Sequence, residues 1–377
     1  MRAEARPRQA GDNAVLVGHS LTSSCALEEW APALLGSGPQ FALDRNADFV
    51  VCANFIGSPY GSSSPLRARR DAAAAGGDDD AAAAASAAFP APVTVADNAR
   101  AVHALLHALG VRSVALAVGG SLGAMLALEY AAMNPASVRS LALIAGAASA
   151  TAWSLGSNTA QRAAVAADAR WRGGGYRSDE PPAAGLAAAR QVAMLTYRAP
   201  EGLQQRFAAP GSGAPLRQAA PGGEPGAEWA VESWLEHAAA SLLARFDAAC
   251  YVALTRTLDS HHVSAERCAR VACPALVLGV SSDTLYPPPV SAALAAALPG
   301  GTLHMLHSPH GHDAFLIELA EVGERISSFR RALHAGADAR AASPVPPPQP
   351  PPRAPRTACA RPTVAAWPPA GLGASPF

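Results

Sequence analysis

Short apolar runs alternate along the chain with longer segments in which apolar residues recur at helical spacing. The runs suited to buried strands are residues 13–17, 48–52, 114–118, 138–144, 273–280 and 302–306. Helical spacing is found in residues 95–109, 158–167, 185–197, 231–243 and 318–335. Strands that alternate with helices predict an α/β fold with a mostly parallel sheet and right-handed crossovers. The helical block before the strand at 273–280 interrupts this alternation, so we expect it to form an inserted cap.

The same pattern predicts how the chain is divided. The core is predicted in two parts, residues 12–151 and 269–335, with the helical cap at 152–268 between them. Residues 66–91 are low in complexity, with an alanine run and three consecutive aspartates, and we expect a mobile surface insertion there. A glycine- and proline-rich loop is predicted at 208–227, and the proline-rich end of the chain predicts a disordered tail at 336–377.

Composition narrows the classes of function. The 377 residues include 29 basic and 29 acidic side chains, so the formal net charge is zero. The charge therefore gives no indication of binding to nucleic acid or to an anionic membrane. Six cysteines lack the C-x-x-C spacing of a zinc site, which predicts reduced thiols and a cytoplasmic location. No apolar stretch marks a signal peptide or a membrane span, although the arginine- and alanine-rich start leaves an organelle address open.

The first chemical motif is the segment Gly119-Gly120-Ser121-Leu122-Gly123, which lies between a predicted buried strand and a predicted helix. This is the G-x-S-x-G pattern in the strand–turn–helix context of the nucleophile elbow in α/β-hydrolase folds. Small neighbours allow the tight turn, and the helix N-terminus favours negative charge that develops beside the serine. The segment therefore predicts that Ser121 is a nucleophile.

A serine nucleophile needs a base and an acid that orients the base, and in this fold both follow later strands. Asp283 comes three residues after the strand that ends at Val280, which is the expected place for the acid. Two histidines, His310 and His312, follow the last predicted strand, and the residues favour His312 only because the adjacent glycine permits a close approach.

An oxyanion hole requires two backbone N–H groups, one of them from the residue after the nucleophile. That residue is Leu122, and we assign the second donor to Leu21, in the loop after the first predicted strand. His103 and His107 lie four residues apart on one predicted helix, but no acidic or cysteine partner is nearby. We therefore expect no metal site.

Three longer stretches resemble the homoserine O-acetyltransferases, a family of α/β-hydrolase-fold acyltransferases. They are GGSLGAMLALEY at 119–130, GLAAARQVAMLTYR at 185–198 and SPHGHDAFL at 308–316. The similarity runs from about residue 13 to residue 329, and residues 54–61 resemble the fungal-type form of one loop. The chain also begins about two strands later than is usual for the family.

This resemblance implies a ping-pong transfer of acetyl from acetyl-CoA to the hydroxyl of L-homoserine, a step in methionine biosynthesis. It implies that Ser121 is the nucleophile with Asp283 and His312 as partners, and so it favours His312 over His310. It further implies that Arg190 binds the acceptor's carboxylate, with Tyr197 and Asp313 holding its polar groups. No cofactor is implied, since acetyl-CoA is a substrate, and a homodimer through the helical cap is expected.

Some cap residues depart from the family pattern. They are Ser149-Ala150, His237-Ala238-Ala239 and Ala249. These departures leave the acceptor and donor open, so serine as acceptor and succinyl-CoA as donor remain alternatives. Two other hypotheses are an esterase that uses water as acceptor and an inactive relative that acts as a binding partner.

Overall fold

The structure is a computed structural model that describes residues 2–3, 11–90, 92–211, 213–219 and 225–342. The chain divides into two units, Met1–His334 and Ala335–Phe377. The first unit holds the sheet and every candidate site residue. Of the second unit, only residues 335–342 are described, and they are helical.

The main sheet of the described residues has seven strands in the order β1-β5-β2-β6-β7-β10-β11. The strands of the chain are β1 (Arg2–Ala3), β2 (Ala14–Gly18), β3 (Leu35–Gly36), β4 (Leu43–Asp44), β5 (Phe49–Cys52), β6 (Val114–Gly120), β7 (Leu141–Ile144), β8 (Arg217–Ala219), β9 (Pro225–Trp229), β10 (Ala275–Val280) and β11 (Gly301–Leu306). Every neighbouring pair in this sheet is parallel except β1 with β5. The predicted mostly parallel sheet is thus confirmed.

The helices lie on both faces of the sheet and in the segment between β7 and β10. They are α1 (Leu27–Trp30), α2 (Pro65–Ala74), α3 (Asp79–Ala87), α4 (Val95–Ala108), α5 (Leu122–Met133), α6 (Ala152–Ala167), α7 (Ala183–Tyr197), α8 (Pro200–Phe207), α9 (Ala230–Leu243), α10 (Ala248–Asp259), α11 (Ala265–Ala269), α12 (Pro288–Ala297), α13 (Ala314–Ile317) and α14 (Leu319–Ala342). Among the described residues no single helix is long and apolar enough to cross a membrane, although α9 and α10, bent by 100°, pass that test as a pair on length and composition.

The central strands are apolar on both faces because each face packs against its own hydrophobic cluster. Alternate residues of β2 illustrate this: Leu16 belongs to one cluster, and Val15 and Val17 belong to the other. Helix α5 is buried on all sides, which fits its apolar residues at nearly every position. Burial of this helix fixes the turn that precedes it, where Ser121 lies.

Residues 66–91 differ from our expectation of a mobile insertion. Helices α2 and α3 occupy this segment, because alanine is the strongest helix former and Ser64 and Asp78 cap the two N-termini. Arg69 of α2 is only 4% exposed, bonded to Asp247 and stacked 4.1 Å over the Tyr176 ring. Composition alone did not indicate this buried anchor.

Two further corrections concern the ends of predicted segments. Helix α14 extends to Ala342, so the predicted disordered tail does not begin at residue 336. The alanine-rich sequence continues the helix because no proline lies between Leu319 and Pro344. Residues 343–377 lie outside the described part of the chain. In the predicted loop at 208–227, strands β8 and β9 pair antiparallel. The boundaries predicted between the two parts of the core and the cap stay a prediction.

Candidate active site

Ser121 lies in a strained turn between β6 and α5. Its φ is 56° and its ψ is −120°, a backbone conformation that residues other than glycine rarely adopt. The turn depends on close backbone contact, since a Cβ at Gly123 would lie 2.0 Å from the carbonyl oxygen of Gly18. A Cβ at Gly119 would lie 2.3 Å from the carbonyl carbon of Gly123. These glycines let strand and helix meet and hold the serine above the sheet edge.

The structure brings the three predicted catalytic residues together. The Ser121 hydroxyl lies 2.9 Å from Nε2 of His312, and Nδ1 of His312 lies 2.8 Å from Oδ2 of Asp283. Oδ1 of Asp283 accepts the backbone N–H groups of Leu285 and Tyr286 at 2.8 and 2.9 Å. With both carboxylate oxygens engaged, Asp283 holds the imidazole with Nε2 free to accept the serine proton.

His310 is placed elsewhere. Its backbone N–H donates to the Ser308 hydroxyl, and its side chain lines a small cavity with Arg198 and Trp234. Because Gly311 has a φ of 66°, the chain turns sharply between the two histidines. Of the two candidates, only His312 reaches Ser121.

The charge state of His312 sets an expected pH dependence. Burial of the ring disfavours its charged form, but the charge and hydrogen bond of Asp283, together with the charge of Asp313, outweigh burial and raise the pKa of His312 above its usual 6.5. A base must be neutral, so we expect kcat/KM to fall as pH drops through a value above 6.5. Asp283→Asn should lower the activity and move this limb to lower pH. The measurement compares the pH–rate profiles of the wild type and Asp283→Asn. An acid limb at the same pH in both proteins would contradict the expectation.

Of the two predicted oxyanion donors, Leu122 follows the serine in the chain and Leu21 lines the same cavity. Leu122 is the first residue of α5, so its N–H has no acceptor inside the helix. Leu21 lines the same cavity as Ser121, in a loop where Ser23 N–H donates to the Ser20 carbonyl. Nδ1 of His19 bonds to the Ser20 carbonyl at 2.8 Å, and burial lowers the pKa of His19 to about 4. A neutral, buried His19 therefore braces this loop.

The cavity above the serine has a volume of about 160 Å³ and contains all three residues predicted to bind the acceptor. Nε of Arg190 is buried and has no hydrogen-bond partner in the described chain. The guanidinium carbon of Arg190 lies 6.0 Å from the Tyr197 ring centre, which is 5.9 Å from the His312 ring. Burial raises the pKa of Tyr197 to about 12, although the nearby Arg190 charge opposes this, so its hydroxyl stays protonated.

Asp313 has a partner that the sequence did not indicate. Nε of Arg198 lies 3.1 Å from Oδ2 of Asp313, an ion-pair contact without the alignment of a good hydrogen bond. Burial raises the pKa of Asp313, and Arg198, His312 and Arg190 oppose that rise. The Asp313 carboxylate therefore lies near two arginine side chains, of which Arg198 is in direct contact.

Other cavity residues were also missed by sequence reasoning. They are Ser20, Thr22, Ser23, Ser154, Asn158, Arg245, Leu258, Leu285, Tyr286, Phe315 and Leu316. Phe315 and Leu316 lie in the stretch at 308–316 that resembles the family, and several others adjoin predicted residues, but nothing in the sequence showed that these side chains line one cavity. The cap positions that depart from the family pattern, such as His237 and Ala249, are absent from the described lining. Nor do the described residues contain a cluster of three or more potential metal ligands among His, Cys, Asp and Glu.

Comparisons with known proteins agree with this geometry. Residues 13–319 match the family model for the alpha/beta hydrolase fold. A homoserine O-acetyltransferase of Salinibacter ruber is 44% identical over 330 residues, covering 85% of this chain and 88% of its own.

Two solved structures resemble the fold. Esterase E22 has a TM-score of 0.74 at 21% identity and covers 87% of this chain and 92% of its own. A homoserine O-acetyltransferase from Bacillus anthracis has a TM-score of 0.72 at 18% identity and covers 87% and 90%. The predicted α/β-hydrolase fold is confirmed, and the chain belongs to the homoserine O-acetyltransferase family.

Proposed function

We propose that the protein transfers an acetyl group from acetyl-CoA to the side-chain hydroxyl of L-homoserine through an acyl-enzyme on Ser121. The main observation behind this proposal is the hydrogen-bonded Ser121–His312–Asp283 triad, which lies at one wall of a small cavity that Arg190 also lines. Family membership supports the same reaction.

In the first half-reaction, the thioester carbonyl lies against Ser121. His312 accepts the serine proton as Oγ attacks the carbonyl carbon, and the imidazolium is stabilised by Asp283. The developing oxyanion accepts hydrogen bonds from the N–H groups of Leu21 and Leu122. Collapse of this intermediate breaks the carbon–sulfur bond, and His312 returns the proton to the departing CoA thiolate.

In the second half-reaction, the acceptor occupies the space that the thiol has left. His312 removes the proton from the acceptor hydroxyl, whose oxygen attacks the acetyl carbonyl carbon. Collapse of this intermediate breaks the ester bond to Ser121 Oγ, and His312 returns the proton to that oxygen. The Arg190 guanidinium would bind the acceptor's carboxylate, and Asp313 would bind its ammonium group, with the Tyr197 hydroxyl helping to hold these polar groups. These contacts place the hydroxyl and also displace water, which would otherwise hydrolyse the acyl-enzyme.

The remaining features of the enzyme are also proposals. The relay and the cavity supply the nucleophile, the base and the acceptor contacts, so we propose no cofactor beyond acetyl-CoA as substrate. The free thiols at Cys25, Cys52, Cys250, Cys268 and Cys273 support a reducing compartment, which we take to be the cytoplasm. A homodimer through the cap follows only from the resemblance.

The test of this function is turnover with matched donors and acceptors. Purified full-length protein is given acetyl-CoA or succinyl-CoA with L-homoserine, L-serine or no acceptor. Release of free CoA thiol and the mass of the ester product are measured. We expect O-acetylhomoserine as the main product. CoA release at the same rate without an acceptor would instead indicate a hydrolase, and faster transfer to serine would change the acceptor.

Arg190→Ala is expected to damage only the second half-reaction. Loss of a charge-assisted bond to the carboxylate should slow transfer to homoserine by about 10²-fold, while acyl-enzyme formation continues. Hydrolysis should then become the main exit, and Arg190→Lys should recover only part of the loss. Rapid-quench kinetics separate the two halves. Arg270→Ala, which removes an exposed arginine at the C-terminal end of α11, is the control. Equal damage to both halves would assign Arg190 a structural role.

A further inference from the structure

Tyr286 is a fully buried residue whose hydroxyl has no hydrogen-bond partner among the residues described. It lines the same cavity as Ser121 and His312. Buried hydroxyl groups in folded proteins are nearly always bonded, because an unpaired one loses its contacts with water and gains nothing in return. An unpaired hydroxyl at the wall of a reaction cavity therefore points to a ligand group that completes it.

The neighbouring polar side chain does not satisfy this hydroxyl. Ser154 also lines the cavity, and its hydroxyl lies near enough to interact with that of Tyr286 and lower the tyrosine's pKa, but the two do not have the geometry of a hydrogen bond. The Ser154 hydroxyl instead donates to the Thr151 carbonyl at 3.0 Å and accepts the Thr151 N–H at 2.9 Å, as part of the α6 N-terminal cap. Burial raises the pKa of Tyr286, so the phenol keeps its proton and is available as a donor.

The position of Tyr286 is fixed relative to the catalytic base. Its backbone N–H donates to Oδ1 of Asp283 at 2.9 Å, and its ring meets the His312 ring edge to face at 5.4 Å between centres. These two contacts, with Asp283 and His312, restrict the movement of the Tyr286 side chain. The Tyr286 side chain therefore has a fixed position in the wall of the cavity that contains Ser121.

A second unpaired donor, Nε of Arg190, belongs to a residue on the same cavity. A carboxylate offers two acceptor oxygens and is the group that matches two such donors best. We propose that the Tyr286 hydroxyl donates a hydrogen bond to the α-carboxylate of the amino-acid acceptor, beside Arg190, and so helps to select acceptors that carry a carboxylate. This inference rests on the proposed function and assigns a specificity-determining residue to it.

The substitution Tyr286→Phe isolates the hydroxyl, because it keeps the ring and the backbone N–H. The test compares L-homoserine with 3-amino-1-propanol, which has the same hydroxyl and amine but no carboxylate. With L-homoserine, Tyr286→Phe should raise KM by about 10- to 100-fold, the range for a hydrogen bond to a charged group. With 3-amino-1-propanol, the variant and the wild type should react equally slowly. Acylation by acetyl-CoA should be unchanged.

Tyr130→Phe is the matched control, since Tyr130 is also buried but lies on α5 and outside the cavity lining. It should leave both acceptors unaffected. Equal losses with both acceptors, or slower acylation, would show that Tyr286 positions His312 and would overturn the proposal. Unchanged kinetics with L-homoserine would overturn it while leaving the proposed function intact. A wild-type acyl-enzyme that transfers only to water would overturn both.

Discussion

Ser121→Ala is expected to abolish both acyl transfer and covalent acetylation of the protein by acetyl-CoA. The Ser121 hydroxyl is the oxygen that lies 2.9 Å from Nε2 of His312, and the strained turn presents it to the cavity. Without this oxygen the ping-pong route has no acyl carrier, so turnover should fall by about 10⁴-fold or more. The measurement pairs steady-state CoA release with intact-protein mass spectrometry after acetyl-CoA is added without acceptor.

Ser291→Ala provides a matched control for this experiment. Ser291 is buried on α12 and its hydroxyl has no partner in the described residues, but it lies outside the catalytic cavity. Its removal should leave turnover and acetylation close to wild type, since no hydrogen bond is lost. A stoichiometric acetyl adduct on Ser121→Ala would mean that another residue carries the acyl group.

The elements of the site that the sequence predicted are those set by local rules. The segment from Gly119 to Gly123 has its glycines because strand and helix touch at that turn, and this requirement is visible in five consecutive residues. Asp283 and His312 come after successive strands, β10 and β11, which pair in parallel. The ends of such strands lie at the same edge of the sheet, so chain order alone indicated that the two residues meet there.

The contacts that the sequence did not predict join distant segments. Arg69 bonds to Asp247 across 178 positions, and Arg198 reaches Asp313 from the end of α7. Alanine-rich sequence predicts a helix but not the partner against which that helix packs, as α2 and α3 illustrate. Tyr286 lies only three residues from Asp283, but its unpaired hydroxyl is a property of the folded cavity. The contacts on the acceptor side of the site were therefore harder to predict from the sequence than the Ser121–His312–Asp283 triad was.

His312→Ala is expected to lower the rate by about 10³-fold or more, because removing the base leaves only the oxyanion hole and substrate binding. His310→Ala should have little effect, since the His310 side chain lies with Arg198 and Trp234 in a separate small cavity. The two histidines are two positions apart, so each variant is the control for the other. Circular dichroism and thermal melting would confirm that both variants fold.

The half-reactions add a second criterion to this comparison. In the proposed mechanism, His312 is the base for Ser121 in acylation and for the acceptor hydroxyl in transfer, so His312→Ala should slow both halves. A loss confined to transfer would mean that another group activates Ser121, although Nε2 of His312 is the atom within hydrogen-bond distance. A larger loss for His310→Ala than for His312→Ala would move the base to His310. Such a result would require the loop at Gly311 to rearrange when substrate binds.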